Sequence, residues 1–239
     1  MTTRVAVVGA AGRMGSVTCE AVEQATDLDL VARVDSGDPL DAVLDAGADV
    51  AVEFTTPDSV RGNTEWLLQR GVHVVVGATG MSDDDLAELA ARTGPANCLV
   101  APNFAVGAVL LMQLASKAAA VLPDVEIIEA HHPGKADAPS GTARRTARLV
   151  GETRPYRPDP PGPAGEPSRG REIEGVPVHA VRLPGVVASQ EVVFGAEGQT
   201  LSLRHDAIDR TAFMPGVLLA VRRIDGLSGL TVGLDPLLV

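Results

Sequence analysis

Aromatic residues are scarce in this chain. One Trp, one Tyr and four Phe make up 3% of 239 residues, so any core must be built from aliphatic side chains. Cysteine is almost absent as well. Cys19 and Cys98 lie far apart and lack metal-ligand spacing, which argues against a structural zinc and for buried, reduced thiols. Positive charge is in deficit, with 20 Lys and Arg against 31 Asp and Glu and a net charge of −11. That balance excludes non-specific nucleic-acid binding as a main task, and it gives weight to any basic cluster. No apolar run approaches the roughly 18–20 residues of a membrane span. No targeting segment is legible before the first strand-like run, so the expected compartment is the cytoplasm.

What is present is globular. Hydrophobic residues make up 45% and charged residues 21%, in a chain long enough for one large domain or two small ones. Val5-Ala6-Val7-Val8 reads as a buried parallel strand. It runs into Gly9-Ala10-Ala11-Gly12-Arg13-Met14-Gly15, and Met14, Val17, Ala21, Val22 and Ala25 then recur at helical spacing. Strand, glycine turn and helix are the context of a dinucleotide site, where backbone can approach a pyrophosphate. The spacing is G-x-x-G-x-x-G, with Ala11 in the place of the usual second glycine.

A second strand, Leu28 to Val34, ends in Asp35. A carboxylate there can accept hydrogen bonds from the adenosine ribose, which favours NAD, or it can simply be exposed. Arg13 can meet a 2′-phosphate or stand as a solvated charge, so NADP remains open. Further strands are expected at Asp49–Phe54, His73–Val76 and Asn97–Ala101. Asp58 or Ser59 is expected to cap the helix that runs to Gln69, and Ser82 the helix after it. The strand-end segments Gly77-Ala78-Thr79 and Ala101-Pro102-Asn103-Phe104 fall where ligands of parallel α/β sheets bind.

The second half changes character. Val106 to Val121 reads as a long apolar helix and Val125 to Ala130 as a strand. Six prolines within residues 153–167 rule out a helix or a central strand there. Arg169, Gly170 and Arg171 close that stretch, either as surface charge or as a loop reaching a ligand. Val176–Leu183, Ser189–Phe194 and Thr200–His205 suggest a mainly antiparallel or mixed sheet. Thr211 to Arg223 is helical in pattern, and Leu230 to Leu234 would return as a last strand of the first domain. The expected fold is α/β: a Rossmann-like parallel-sheet nucleotide domain, residues 1–103 and 212–239, with an α+β domain at residues 104–211.

The densest chemistry lies in Glu129–Thr142, EAHHPGKADAPSGT. His131, His132, Lys135 and Asp137 are crowded ahead of a helix opening at Ser140-Gly141-Thr142. Free N–H groups and the helix dipole favour an anion at such a turn. Ser140 or Thr142 would cap the helix. Asp137 is read as pairing with Lys135 or ordering the loop, and Arg144 and Arg145 as solvated helix charges. The group suits a carboxylate-bearing substrate with proton donors to hand. No metal site is expected.

These two segments, EAHHPGKADAPSGT and VAVVGAAGRMG, resemble the 4-hydroxy-tetrahydrodipicolinate reductase (dihydrodipicolinate reductase) family. The resemblance runs from Val5 to about Leu238, and VPVHAVRLPGVVASQEV looks most like the actinobacterial members. It implies a homotetrameric, cytoplasmic oxidoreductase of the diaminopimelate route to lysine. Such enzymes reduce a cyclic dicarboxylate hydroxy compound, with loss of water, to tetrahydrodipicolinate with NADH or NADPH. By the same resemblance, Gly9, Ala10, Ala11, Gly12, Arg13 and Met14 would hold the pyrophosphate and Asp35 the ribose. Gly77, Ala78, Thr79, Ala101, Pro102, Asn103 and Phe104 would line the nicotinamide side. His131 matches the proton donor/acceptor and Lys135 the proton donor. His132, Lys135, Ser140, Gly141 and Thr142 fall in the substrate-binding motif.

Two positions depart from the family pattern. Ala78 stands where a threonine is usual, and Ala11 where relatives carry glycine or lysine. Two other readings remain: a different two-domain NAD(P) oxidoreductase, and a nucleotide-sensing protein that has lost catalysis.

Overall fold

A computed structural model describes residues 2–92, 94–155 and 167–238. Its contacts divide the chain into two compact units, one of Met1–Val106 with Arg210–Val239 and one of Gly107–Asp209.

The first unit is a six-stranded sheet in the order β11-β5-β4-β3-β1-β2. Its strands are β1 (Thr3–Val8), β2 (Leu28–Val34), β3 (Val50–Glu53), β4 (His73–Val76), β5 (Cys98–Val100) and β11 (Leu230–Val232). All neighbours pair in parallel, which the alternation with α1 (Arg13–Gln24), α2 (Ala42–Asp45), α3 (Pro57–Gln69) and α4 (Asp83–Ala90) makes possible. Central strands read as valine runs because both faces are covered: Val5, Ala6, Val7, Ala51, Val52, Val74, Val75 and Val76 are fully buried. Each buried valine stabilises the fold by roughly 1.5–3 kcal/mol relative to exposure. β2 and β3 flank β1 on opposite sides, so the strand order reverses at β1. A crevice for a ligand opens beyond the strand tips at such a point.

Caps set the helix boundaries. Ser82 opens α4 with a reciprocal capping box: its hydroxyl accepts from Asp85 N, and Asp85 accepts from Ser82 N at 2.8 Å. At α3 the expectation is corrected. The cap position is Thr56, not Asp58 or Ser59, because Pro57 occupies the first turn, where its missing N–H costs nothing. Thr56 makes no side-chain capping bond to the backbone.

The second unit holds α5 (Val106–Ala119, all but its first residue), β6 (Asp124–His131) and α6 (Gly141–Thr153). Its other strands are β7 (Arg171–Ile173), β8 (Val176–Arg182), β9 (Ala188–Ala196) and β10 (Gln199–Ala207), and α7 (Met214–Arg223) follows in the first unit. The five-stranded sheet has the order β10-β9-β6-β8-β7 and is mixed: only β6 and β8 run parallel. One face packs against α5 and α6 through Leu111, Ala115, Ala143, Ala147, Val150, Val125, Ile127, Val192 and Phe194. On the opposite face Ile128 and Val181 are exposed. The proline-rich stretch lies largely outside the described residues, at 156–166. The strand β7 escaped the sequence reading, since three residues leave no period to detect.

Candidate active site

The glycine turn of the first unit is shaped for close approach. Gly9 has φ of +83°, and a methyl there would come within 2.7 Å of the Phe54 carbonyl oxygen. A methyl on Gly15 would overlap the Gly9 carbonyl. α1 starts at Gly12 with no side-chain cap and no acid in its first turn, so its leading N–H groups are left for an anion.

Asp35 closes the other side of the turn. Its carboxylate accepts from Ala11 N at 2.5 Å and from Ser36 N at 2.8 Å, and Asp38 accepts from Asp35 N at 2.9 Å. The Ser36 amide first, and the Ala11 amide second, hold the Asp35 carboxyl below its usual range. A cavity of about 490 Å³ lies here, lined by Gly9, Gly12, Asp35, Asp38 and the Thr55-Thr56 loop among others. The residues present therefore fit a dinucleotide: the first amides of α1 for a pyrophosphate, those of Gly9 to Gly12 being engaged within the turn and its neighbours, and an ionised acid for a ribose. Arg13 is exposed and is not part of the cavity wall.

Glu53, fully buried at the tip of β3, was not foreseen from sequence. Its carboxylate accepts from Thr55 N at 2.9 Å, from the Thr55 hydroxyl and from Asn63 Nδ2 at 3.1 Å, which sets the loop lining the cavity. The Gly77 and Ala78 amides donate to the Glu53 carbonyl, and Ala101 N donates to Val76 O. Phe54 and Phe104 meet edge to face, with ring centroids 6.1 Å apart. A methyl on Gly77 would strike both rings. The expected nicotinamide-side residues Gly77 and Phe104 are thus brought together. Thr79 and Pro102 lie exposed beside them in the chain.

The second cluster sits where β6 leads into α6. Residues alternate across a strand, so Glu129 and His131 share the helix-covered face, and His131 is register-paired with Arg182 on parallel β8. His131 Nδ1 lies 2.6 Å from Glu129 Oε2. Arg182 grips both oxygens of Glu129 at 2.9 Å, and Ser140 N donates to Oε1 at 3.0 Å. Burial alone would push the Glu129 carboxyl up. The Arg182 guanidinium, His131 and the Ser140 amide outweigh it and hold the group ionised below its ordinary value. His131 is also lowered: burial disfavours the imidazolium, and Lys135 and Arg182 add to that, against the opposing pull of Glu129.

Ser140 is the cap of α6, accepting from Ala143 N at 3.1 Å. Lys135 Nζ pairs with Asp137 Oδ1 at 2.7 Å, as the sequence suggested. Arg144, expected to be a solvated charge, instead donates to Pro139 O at 2.5 Å and lies 3.6 Å from Asp137. His132 and Gly141 are exposed, and Thr142 is half-buried at the helix start. Arg169 pairs with Glu126, which also meets His179, so it is a sheet contact within this unit. Among the described residues no group of His, Cys, Asp and Glu could hold a metal ion.

The cluster gathers Lys135, His131, His132 and the N-terminus of α6. Such a set can seat a carboxylate and move a proton. Arg182 was missed by sequence reasoning because it lies 53 positions from Glu129. The signal that could have found it is a lone arginine at the end of an apolar strand.

Comparison with known proteins gives the family. Family models described as "Dihydrodipicolinate reductase, N-terminus" and "Dihydrodipicolinate reductase, C-terminus" match residues 3–104 and 107–238. A protein of Mycolicibacterium vanbaalenii named 4-hydroxy-tetrahydrodipicolinate reductase is 52% identical over 98% of each chain. One of the same name from Nocardia farcinica is 51% identical over 100% of this chain and 99% of its own. A dipicolinate-bound dihydrodipicolinate reductase structure from Paenisporosarcina sp. TG-14 superposes with a TM-score of 0.88, at 39% identity and 99% coverage of both chains.

Proposed function

The chain belongs to the dihydrodipicolinate reductase family, and from that premise we infer how its residues carry the reaction. It is an oxidoreductase that reduces 4-hydroxy-tetrahydrodipicolinate to tetrahydrodipicolinate with loss of the 4-hydroxyl as water, a step of diaminopimelate and lysine biosynthesis. A bound nicotinamide cofactor supplies the hydride.

Gly9, Ala10, Ala11, Gly12, Arg13 and Met14 hold the pyrophosphate in this reading, with the uncapped start of α1 as the anion site. Asp35 takes the adenosine ribose. Gly77, Ala78, Thr79, Ala101, Pro102, Asn103 and Phe104 border the nicotinamide. Asp35 and Asp38 both line the ribose end of the cavity, and two carboxylates there oppose a 2′-phosphate. NADH is therefore the better donor, and Arg13 is the residue that lets NADPH serve as well.

His132, Ser140, Gly141 and Thr142 seat a carboxylate of the substrate at the head of α6. Lys135, held by Asp137, adds charge on that side and donates the proton that the reduced ring needs. His131 donates or accepts that proton in turn. The carrying observation is the His131–Glu129–Ser140 linkage, which puts a polarised histidine and the capped start of α6 on one carboxylate.

Two wider statements complete the reading. The uncovered face of the five-stranded sheet, with Ile128 and Val181 exposed, suits pairing of subunits into a homotetramer. No described helix is long and apolar enough to cross a membrane. Cys19 and Cys98 are free and buried, which suits a reducing cytoplasm.

The deciding assay follows oxidation of NADH and NADPH with and without enzymatically generated 4-hydroxy-tetrahydrodipicolinate. Substrate-dependent oxidation of either cofactor is expected, faster with NADH at limiting concentration. Cofactor binding without turnover would overturn the reading.

A further inference from the structure

We infer that Glu129 and Arg182 are positioning residues for the proton-transfer step. Glu129 fixes the His131 ring through Nδ1 and the start of α6 through the Ser140 amide. Arg182 neutralises that carboxylate, so that His131 keeps Nε2 free to exchange a proton. The inference rests on the reading of His131 given above.

The argument starts from saturation. Glu129 is fully buried, and a buried carboxylate persists only if it is paired and hydrogen-bonded. It receives four hydrogen bonds, from Arg182 Nη1, Arg182 Nη2, Ser140 N and His131 Nδ1. An ionised carboxylate offers about four lone-pair sites, so none remains for a substrate. Glu129 therefore acts through its neighbours and does not touch the reacting ring.

An ionised carboxylate can only accept. The 2.6 Å contact therefore places a proton on His131 Nδ1 and leaves the lone pair of the neutral ring on Nε2. A carboxylate alone would also favour a permanent imidazolium, a poor partner for a proton that must come and go. Arg182 removes that bias by spending the carboxylate charge on itself. The same guanidinium donates to the Asp137 carbonyl at 2.6 Å, and the Asp137 side chain holds Lys135. Both proton-handling side chains thus hang on one Glu129–Arg182 pair.

The charged groups acting on His131 are Glu129 on its own strand, Arg182 on β8 and Lys135 in the following loop, with Asp137 paired to Lys135. Asp137 is shared with Arg144 of α6. The pair acts within this set, so its removal has a signed consequence. Without Arg182, Glu129 faces His131 uncompensated and the imidazolium is favoured. Without the Glu129 charge, Arg182 and Lys135 act unopposed and the imidazolium is disfavoured.

The test uses the full-length enzyme with ring-labelled histidine. His131 is titrated by NMR, and kcat/KM is profiled against pH in the parent, Glu129→Gln, Arg182→Met and Arg182→Lys. Arg182→Met should raise the His131 midpoint and move its limb of the profile upward by about one pH unit or more, and Glu129→Gln should move both downward. Arg182→Lys should fall between Arg182→Met and the parent. NADH affinity should stay within about twofold throughout, since the change lies in kcat.

Midpoints that stay put in both variants, or that move in the same direction, overturn the inference. Should Arg182→Met fail to fold, Glu129→Gln and Arg182→Lys are judged by the same signs. His131→Gln separates the two claims. If it leaves the pH profile unchanged, the catalytic reading of His131 falls, whereas the positioning of the ring is still decided by the NMR midpoints.

Discussion

Ala11 gives its backbone N–H to the Asp35 carboxylate at 2.5 Å, across 24 positions of sequence. The glycine turn and the acid at the end of β2 are therefore one piece of structure. Asp35→Ala should cost more than a ribose contact, because it also frees the turn. NADH affinity is expected to fall about tenfold or more, with a smaller loss for NADPH. Fluorescence titration of both cofactors measures this. Arg13→Ala should show the reverse order, weakening NADPH more than NADH, and equal losses would argue against a 2′-phosphate contact.

Lys135→Ala removes the proton donor and leaves Asp137 facing Arg144. Turnover should drop by about 10²–10⁴-fold, and His131→Ala should reduce it less severely. Cofactor binding, read by the same titration, should persist in both. Unchanged turnover in the two variants would take these residues out of the mechanism.

The acid limb of stability should report Glu129. Its carboxyl is held below its ordinary value of 4.5 in the folded protein. A depressed carboxyl contributes stability that is fully present above the unfolded value and is lost as pH falls through the folded one. Melting temperature should therefore decline below about pH 4.5, and less steeply in Glu129→Gln than in the parent. The variant should also lose about 3 kcal/mol at neutral pH, where Arg182 is left with a neutral partner.

Gly15→Ala probes the turn without touching charge. The added methyl would overlap the Gly9 carbonyl, and both are backbone-constrained. Stability of the first unit should fall by about 3 kcal/mol or more, with loss of cofactor binding. Thermal melts with and without NADH measure both effects, and a parent-like melt would show that the turn has slack.

The open sheet face gives a test of assembly. Ile128→Asp places a charge in the middle of it. Light scattering after size exclusion should show a species smaller than the parent particle. A parent particle that is already monomeric would remove the homotetramer from the reading.

The first unit was legible because its signals are local. Glycines, valine runs and the switch to helical spacing all fall within short windows, and Leu28–Val34 emerged with its observed bounds. Ser140 was one of two caps considered, and its hydroxyl settled the matter through Ala143 N. The Lys135–Asp137 pair was readable for the same reason, being two positions apart. Arg182 was not, since it reaches Glu129 only through the parallel register of β6 and β8. Glu53 passed unremarked within the expected strand Asp49–Phe54, because nothing in sequence says that Thr55 and Asn63 will turn back to it. Arg144 was misread because its helical spacing says nothing of the loop that folds over it.

The strand Leu230–Val232 occupies the edge of the six-stranded sheet, beside Cys98–Val100. On a ribosome, those earlier residues emerge more than a hundred positions before their neighbour exists. Through that interval their outward N–H and C=O groups stay bare, an opening for strand pairing with another nascent chain. Residues 107–209 are all synthesised within that interval, so the nucleotide half is the later of the two to be complete.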